Sequence, residues 1–296
     1  MNRTSFIWNC QGAASRRFHT VLKSLLHGFK PDLIALLEPR ISGVKADRVI
    51  KKLNYPNLHR VEAEGFSGGI WLMWSDQIKV HVLLNHKQFI HTHICSTNGE
   101  SPYLFTTVYG NPKPTMRETL WEDLHYLCIN EREAWLLAGN FNATLTRDER
   151  RGGARSSRSG NRAFKDFVHT TGLIDLGFTG PEFTWKRGSL LVRLDRALTN
   201  QTWIASQPNA IVMHLPRIQS DHRPLLIKPE GEPRKKEPIF RFLAPWIAHP
   251  DFKNLLAKNW SNEESLARNI EKFIQAAHLW NRDTFGSIGK NKRILR

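Results

Sequence analysis

Cysteine is scarce in this chain, with three residues, Cys10, Cys95 and Cys128, among 296. They are too few and too widely spaced for a disulfide framework or a zinc site, so they read as packed or free thiols in a reducing compartment. No apolar run approaches the roughly 18 residues that a membrane span needs, and no charged-then-apolar leader precedes the first strand pattern. A soluble, intracellular protein with no membrane partner is expected. Walker loop, GxSxG elbow and dinucleotide glycine pattern are all missing, which removes the commonest nucleotide-binding and acyl-transfer signatures. Internal repeats and low-complexity blocks are missing too.

Acidic charge is also short. Lys and Arg number 43 against 27 Asp and Glu, a net +16. That excess points to a polyanionic partner, because clustered cations gain affinity for nucleic acid by releasing condensed counterions. Residues 1–228 carry a net +11 and residues 229–296 a net +5, so the excess is no tail artefact. Its densest run is Arg147, Arg150, Arg151, Arg155, Arg158, Arg162 and Lys165, interleaved with glycine and serine. A solvated loop and a phosphate-gripping loop are both open readings of that run.

Short apolar strands alternate with amphipathic helices, the pattern of layered helix and sheet. Thr4 to Asn9 reads as a strand; Phe18, Val21, Leu22, Leu25 and Leu26 then recur at helical spacing, and Leu33 to Leu37 is a continuous buried strand. Runs at 68–74, 78–84, 89–95 and 103–108 suggest an antiparallel meander with a tight turn at Asn98-Gly99. Thr115 and Glu118 form a capping-box pattern before a helix carrying Leu120, Leu124 and Leu127. Ala134 to Ala138 reads as a strand, 162–171 as a helix, and runs at 183–185, 192–198, 211–214 and 225–228 as strands. The stretch PEGEPRKKEP at 229–238, with charge and three prolines, marks a linker, and 239–296 reads as a helical segment. The division expected is a domain over 1–228, a linker and that appendage.

Four short motifs stand at strand ends: WNCQG at 8–12, LLEPR at 36–40, GNFN at 139–142 and SDHRP at 220–224. With VYGNP around Tyr109 and RLDRA around Asp195, they resemble, in order, the endonuclease/exonuclease/phosphatase or DNase I-like superfamily, and most closely the endonuclease domain of plant non-LTR retrotransposons. The resemblance covers residues 5–228 and extends more loosely to 296, where 239–296 is similar to the connector that precedes a reverse transcriptase. It implies an α/β fold, a four-layered sandwich with a C-terminal helical extension, acting as a Mg²⁺-dependent DNA endonuclease that nicks its target.

The same resemblance assigns roles. Glu38, Asn9 and Asp221 would hold the metal; a carboxylate suits hard Mg²⁺, which takes only one or two protein oxygens. His222 would contact the scissile phosphate, with Asp195 fixing its tautomer and stabilising its positive form. Tyr109 would donate to the phosphate, and Asn142 would orient the attacking water. Asn140 stands where the family has an aspartate (GDFN), and an amide accepts a hydrogen bond but takes no proton at neutral pH. Loss of such a base costs about 10² to 10⁴ in rate. Arg147, Arg150, Arg151 and Arg155 are the nucleic-acid-binding candidates, and Trp185 a cleft-lining one. Taken alone, several are bland: an Asn ending a strand is often a turn former, a strand-end Tyr is often core, and Trp185 packs in a core as readily as it lines a cleft. His91 and His93 share a strand face, but two ligands without a third make a poor zinc site.

An attenuated endonuclease domain of a retrotransposon-derived protein is therefore the leading expectation, monomeric and nuclear, with DNA as partner and retrotransposon RNA or a reverse transcriptase as further partners to consider. A catalytically inactive nucleic-acid-binding module of the same fold is the alternative. A phosphatase of the superfamily is the third reading.

Overall fold

The computed structural model describes residues 3–65, 68–97, 101–130, 133–153, 161–231, 247, 249–261, 263 and 266–285. The chain divides into two compact units, Met1–Pro233 and Arg234–Arg296. In the first the elements run β1 (Ser5–Asn9), α1 (Arg16–Phe29), β2 (Leu33–Leu37), α2 (Gly43–Lys51), β3 (Asn57–Val61), β4 (Ile70–Trp74), β5 (Ile78–His86), β6 (Phe89–Ser96), β7 (Tyr103–Tyr109) and α3 (Pro114–Asn130). They continue with β8 (Trp135–Asn140), β9 (Arg150–Arg151), α4 (Arg162–Thr170), β10 (Ile174–Asp175), β11 (Trp185–Arg187), β12 (Leu190–Val192), β13 (Asp195–Thr199), α5 (Gln201–Ser206), β14 (Ile211–His214) and β15 (Leu225–Lys228). The second unit contributes α6 (Phe252–Asn259) and α7 (Leu266–Phe285), which meet through Phe252, Phe273, Ala277 and Trp280.

Two six-stranded sheets, ordered β14-β15-β1-β2-β4-β3 and β10-β13-β8-β7-β6-β5, face one another, and a small third sheet joins β11, β12 and β9. Strand parity sorts side chains into layers, since neighbours along a strand point to opposite faces. Ile7, Leu33, Ala35 and Leu37 of one sheet share the inter-sheet core with Phe105, Leu136, Ala138 and Ala197 of the other. The intervening residues Phe6, Trp8, Ile34 and Leu36 pack on Phe18, Leu22 and Leu26 of α1 and Ala46, Val49 and Ile50 of α2. On the far side Trp135, Leu137 and Leu198 pack on Leu120, Trp121 and Leu124 of α3 and Phe164 and Phe167 of α4. This is the helix–sheet–sheet–helix sandwich expected. Fully burying each large apolar side chain contributes about 1.5 to 3 kcal/mol, so three such layers leave the fold well determined.

Local chemistry sets the helix ends. Ser15 caps α1 by accepting the Phe18 N–H at 3.1 Å, and Lys30 closes it in the left-handed region (φ 44°) with its N–H on the Leu26 carbonyl. Asn161 caps α4 in the same way, accepting from Phe164 at 2.9 Å.

Some expectations are corrected. The strand at 70–74 does not open the meander: β4 pairs with β2 and β3, and only β5, β6 and β7 run as consecutive antiparallel neighbours. IWLMW is apolar on both faces, and such a run fits a central strand of either sheet. Thr115 is no cap, because α3 begins at Pro114, whose missing N–H suits the first helical position. The run at 192–198 is broken into β12 and β13, and α2, β3 and α5 went unread. The Asn98-Gly99 turn and most of the 229–238 linker lie outside the described residues. The three cysteines are free, and burial pushes the Cys10 thiol up to about 12. No helix among the described residues is long and apolar enough to cross a membrane.

Candidate active site

Two parallel strand pairs, β1 with β2 and β7 with β8, bring their carboxyl ends to one edge of the inter-sheet core, where open α/β architectures place ligands. Asn9 pairs with Leu37, immediately before Glu38. Across the second sheet Tyr109, Asn140 and Asp195 form one row, through the Tyr109–Asn140 and Asn140–Asp195 register pairs. Parity turns this row toward the facing sheet, as it does Phe105, Ala138 and Ala197. The result is a cleft of about 800 Å³ lined by Asn9, Glu38, Asn140, Asn142, Trp185, Asp221 and His222 among others.

His222 Nδ1 meets Asp195 Oδ2 at 2.8 Å, both side chains being 3% exposed. Burial drives the imidazole down, but Asp195, Asp221 and Glu38 outweigh it and hold His222 above its ordinary pKa. The Thr184 hydroxyl accepts the Asp195 N–H at 3.0 Å, and the Ser220 hydroxyl accepts the His222 N–H at 3.1 Å while donating to the Asn9 carbonyl at 2.7 Å. His222 Nε2 lies 3.8 Å from Asp221 Oδ1, and the Trp185 indole donates to Asp221 Oδ2 at 2.8 Å. Trp185 therefore both lines the cleft and fixes an acid beside the histidine.

Glu38 follows β2 in the left-handed region (φ 56°), held by its N–H on Gly69 O at 3.0 Å and by Gly12 N–H on its carbonyl at 2.9 Å. A non-glycine residue there costs of order 1 kcal/mol or more and needs surroundings that enforce it. Arg40 donates through Nε at 2.9 Å, and also through a terminal nitrogen, to Glu38 Oε1. Tyr109 lies beside Glu38 but not among the lining side chains; burial and the Glu38 charge raise its pKa.

Asn140 is fully buried, with Oδ1 accepting the Asn142 N–H at 2.9 Å and Nδ2 without a partner. Asn142 Nδ2 donates to Gly110 O at 2.7 Å. The strand passes β7 closely just before Asn140: a Cβ on Gly139 would stand 1.9 Å from Val108 O, its register partner's carbonyl.

Of the arginine run, Arg150 lines the cleft, Arg147 is exposed away from it, Arg151 reaches Glu182 at 3.3 Å and covers Phe183, and Arg155 lies outside the described residues. The loop's base is pinned by Glu149, which with Asp175 forms a buried network with Arg193 and Arg196 at 2.7 to 3.0 Å. Sequence reasoning missed Arg40, Arg117, Thr184 and Ser220 as site neighbours. Arg40 and Ser220 sat inside quoted motifs, whereas a lone Arg117 in a helix carried no signal. His91 meets Thr106 at 2.8 Å and His93 meets Glu133 at 3.2 Å.

A model of the Endonuclease/Exonuclease/phosphatase family matches residues 7–222. The chain belongs to that family. Among solved structures it is similar to the AP endonuclease LMAP of Leishmania major (13% identity, TM-score 0.64, covering 78% of this chain and 88% of that one). It is similar to the endonuclease domain of TRAS1, a telomere-specific non-LTR retrotransposon (14%, 0.58, 77% and 98%). It is also similar to the 3′ phosphatase NExo from Neisseria, bound to a product DNA hairpin (17%, 0.55, 76% and 98%). No curated protein matches the sequence. At these identities the structural likeness bears on the fold.

Proposed function

We propose that this chain is the Mg²⁺-dependent DNA endonuclease domain of a retrotransposon-derived protein, attenuated by Asn140. The observation that carries the reading is the Asp195–His222 pair buried beside Asp221, with an amide, Asn140, as the register partner of Asp195 where the resemblance expects a proton acceptor. Its retrotransposon lineage is supported by the motif contexts and by the similarity to the TRAS1 domain. DNA as partner, a nuclear location, and retrotransposon RNA or a reverse transcriptase as associates rest on that lineage.

The donor set suits a hard cation. Asp221 Oδ1 is buried with no hydrogen-bond partner, and Glu38 presents a second carboxylate in the same cleft beside the Asn9 amide. Among the described residues no group of three or more His, Cys, Asp or Glu is placed to share a metal, and Mg²⁺ needs only one or two protein oxygens. Glu38, Asn9 and Asp221 would hold it, and when bound it supplies charge stabilisation to the phosphate. Asp195 keeps the His222 Nδ1 proton in place, leaving Nε2 to donate to a phosphoryl oxygen as charge grows there. Arg40 holds Glu38 in one orientation. Asn142, anchored on Gly110 O, lines the cleft and keeps its amide oxygen for orienting an attacking water. Asn140 uses its oxygen on Asn142 N–H and keeps an amide nitrogen that takes no proton.

The same feature supports the second reading, an inactive nucleic-acid-binding module. Mg²⁺-dependent nicking of supercoiled plasmid separates the two: slow nicking abolished by His222→Ala supports the endonuclease, whereas DNA binding with no metal-dependent turnover supports the module. Phosphate release from inositol phosphates would instead support the phosphatase reading.

A further inference from the structure

Arg117 stands one turn into α3, only 6% exposed, and yet it lines the cleft. Its guanidinium donates through one terminal nitrogen to the Asn111 and Pro112 carbonyls, at 2.5 and 2.9 Å, and its stem approaches so closely that a Cβ on Gly110 would lie 3.3 Å from its Cδ. The Nε atom is buried with no hydrogen-bond partner. Among the described residues no carboxylate pairs with this cation; burial lowers its pKa and nothing acidic offsets that. The contrast inside the same unit is sharp, because the equally buried Arg193 and Arg196 each reach two carboxylates. A buried charge without a counter-charge is costly, and an anionic ligand would relieve that cost.

Arg150 repeats the arrangement. It lines the same cleft, its Nε is buried without a partner, and among the described residues it makes no ion pair. Both cations are carried by elements other than those that hold Asp195, Asp221 and His222: Arg117 by the first turn of α3 and Arg150 by β9. Arg117 and Asn142 also hold adjacent carbonyls of one turn, since Asn142 Nδ2 donates to Gly110 O and Arg117 to the next carbonyl, Asn111 O.

We propose that Arg117, together with Arg150, is a binding site for a second phosphate of the substrate strand, distinct from the phosphate that His222 faces. The inference rests on the nucleic-acid reading above. It makes the cleft a two-phosphate site, in which the flanking phosphodiester supplies the counter-charge that Arg117 lacks and sets the strand's register against the reacting centre.

The test uses the full chain, a 20-base-pair duplex followed by fluorescence anisotropy over a salt series, and thermal melting with inorganic phosphate as a separate probe. Arg117→Met keeps the stem over Gly110 and removes the charge. It is expected to weaken duplex binding about tenfold and to lower the salt slope by about one unit, with Arg117→Lys recovering the slope. Phosphate should raise the melting temperature of the parent and of Arg117→Lys clearly more than that of Arg117→Met, which keeps only the phosphate position that His222 faces. A folded Arg117→Met protein with parental slope and parental stabilisation by phosphate overturns the proposal. Should that variant fail to fold, single methylphosphonate linkages in the duplex take its place. A neutral linkage at one position flanking the reacting phosphate is expected to weaken the parent but not Arg150→Ala, and equal tolerance at every position overturns the proposal. If neither protein binds duplex while phosphate still stabilises in an Arg117-dependent way, the nucleic-acid reading falls and the anion site stands.

Discussion

Asn140 and Asp195 are direct register partners across β8 and β13, and both side chains are buried. An aspartate at 140 would set two carboxylates side by side in that row, and like charges directly opposite on a sheet destabilise it. Asn140→Asp is therefore expected to lower stability by about 1 to 3 kcal/mol at neutral pH in the absence of metal. The sign with pH follows: the new carboxyl's folded pKa is raised, so its deficit is full above that folded pKa and fades as pH falls through it. Urea unfolding of both proteins from pH 8 to pH 4 checks this, and a gap that widens on acidification refutes it.

Gly139 gives a purely steric prediction. Its φ of 153° and the 1.9 Å separation between an added Cβ and Val108 O leave no room on a β8 edge that also hydrogen-bonds to β7. The obstacle is backbone, which cannot rotate aside. Gly139→Ala should cost about 2 to 4 kcal/mol, read as a lower denaturation midpoint with unchanged slope. An alanine variant as stable as the parent would show that the approach of β8 to β7 before Asn140 is looser than this.

The Glu149–Arg196–Asp175–Arg193 network ties the arginine-rich loop to the start of β13. Burial raises both acids, but the guanidinium of Arg196, with Arg193 beside it, outweighs that and holds Glu149 below 4.5 and Asp175 below 3.8, their ordinary values. Groups depressed on folding contribute stability that is complete above the unfolded pKa and lost as pH falls through the folded one. Acid unfolding should therefore steepen below about pH 4. Arg196→Met should unfold at higher pH than the parent, because it leaves two buried carboxylates with one cation between them, a loss of about 3 to 5 kcal/mol at neutral pH. Circular dichroism against pH measures both effects.

Two neighbours in the arginine run are expected to differ. Arg150 lines the cleft with no acid partner, whereas Arg151 is tied to Glu182 and lies 5.0 Å over the Phe183 ring. Arg150→Ala should reduce the salt slope of duplex binding by about one unit, and Arg151→Ala by much less. Equal slopes for the two variants would return the run to a solvated surface loop.

Much of this site was legible because its residues sit where strands stop. Leu33 to Leu37 matched the observed strand residue for residue, and Glu38 followed from it; Ser5–Asn9 and β15 were nearly as plain. The family resemblance also paired Asp195 with His222, through the RLDRA and SDHRP motifs, and the structure sets the two side chains 2.8 Å apart. The assignment of β4 was not legible: its register with β2 is set by long-range pairing, and an apolar run looks alike in either sheet. Arg117 was invisible for another reason. Nothing local separates a surface arginine of a helix from a buried one, and only the Gly110–Pro112 turn folding back over it makes the difference.

The sharpest expectation concerns catalysis at Asn140. Glu38, Asn142, Asp221 and His222 line one strand-end cleft with Asp195 behind His222, so on the proposed reading the site lacks one proton acceptor and otherwise keeps its parts. The position can take an acid: Oδ1 already holds the Asn142 N–H, and the buried nitrogen that finds no partner would become a second carboxylate oxygen. Asn140→Asp is expected to raise Mg²⁺-dependent plasmid nicking by about 10² or more, the size of a restored general base, despite its cost in stability. Adding His222→Ala should remove that gain, because the base and the phosphate contact serve a single transition state and their effects do not add. If Asn140→Asp stays folded, binds DNA and nicks no faster than the parent, the catalytic reading fails and the binding module takes its place.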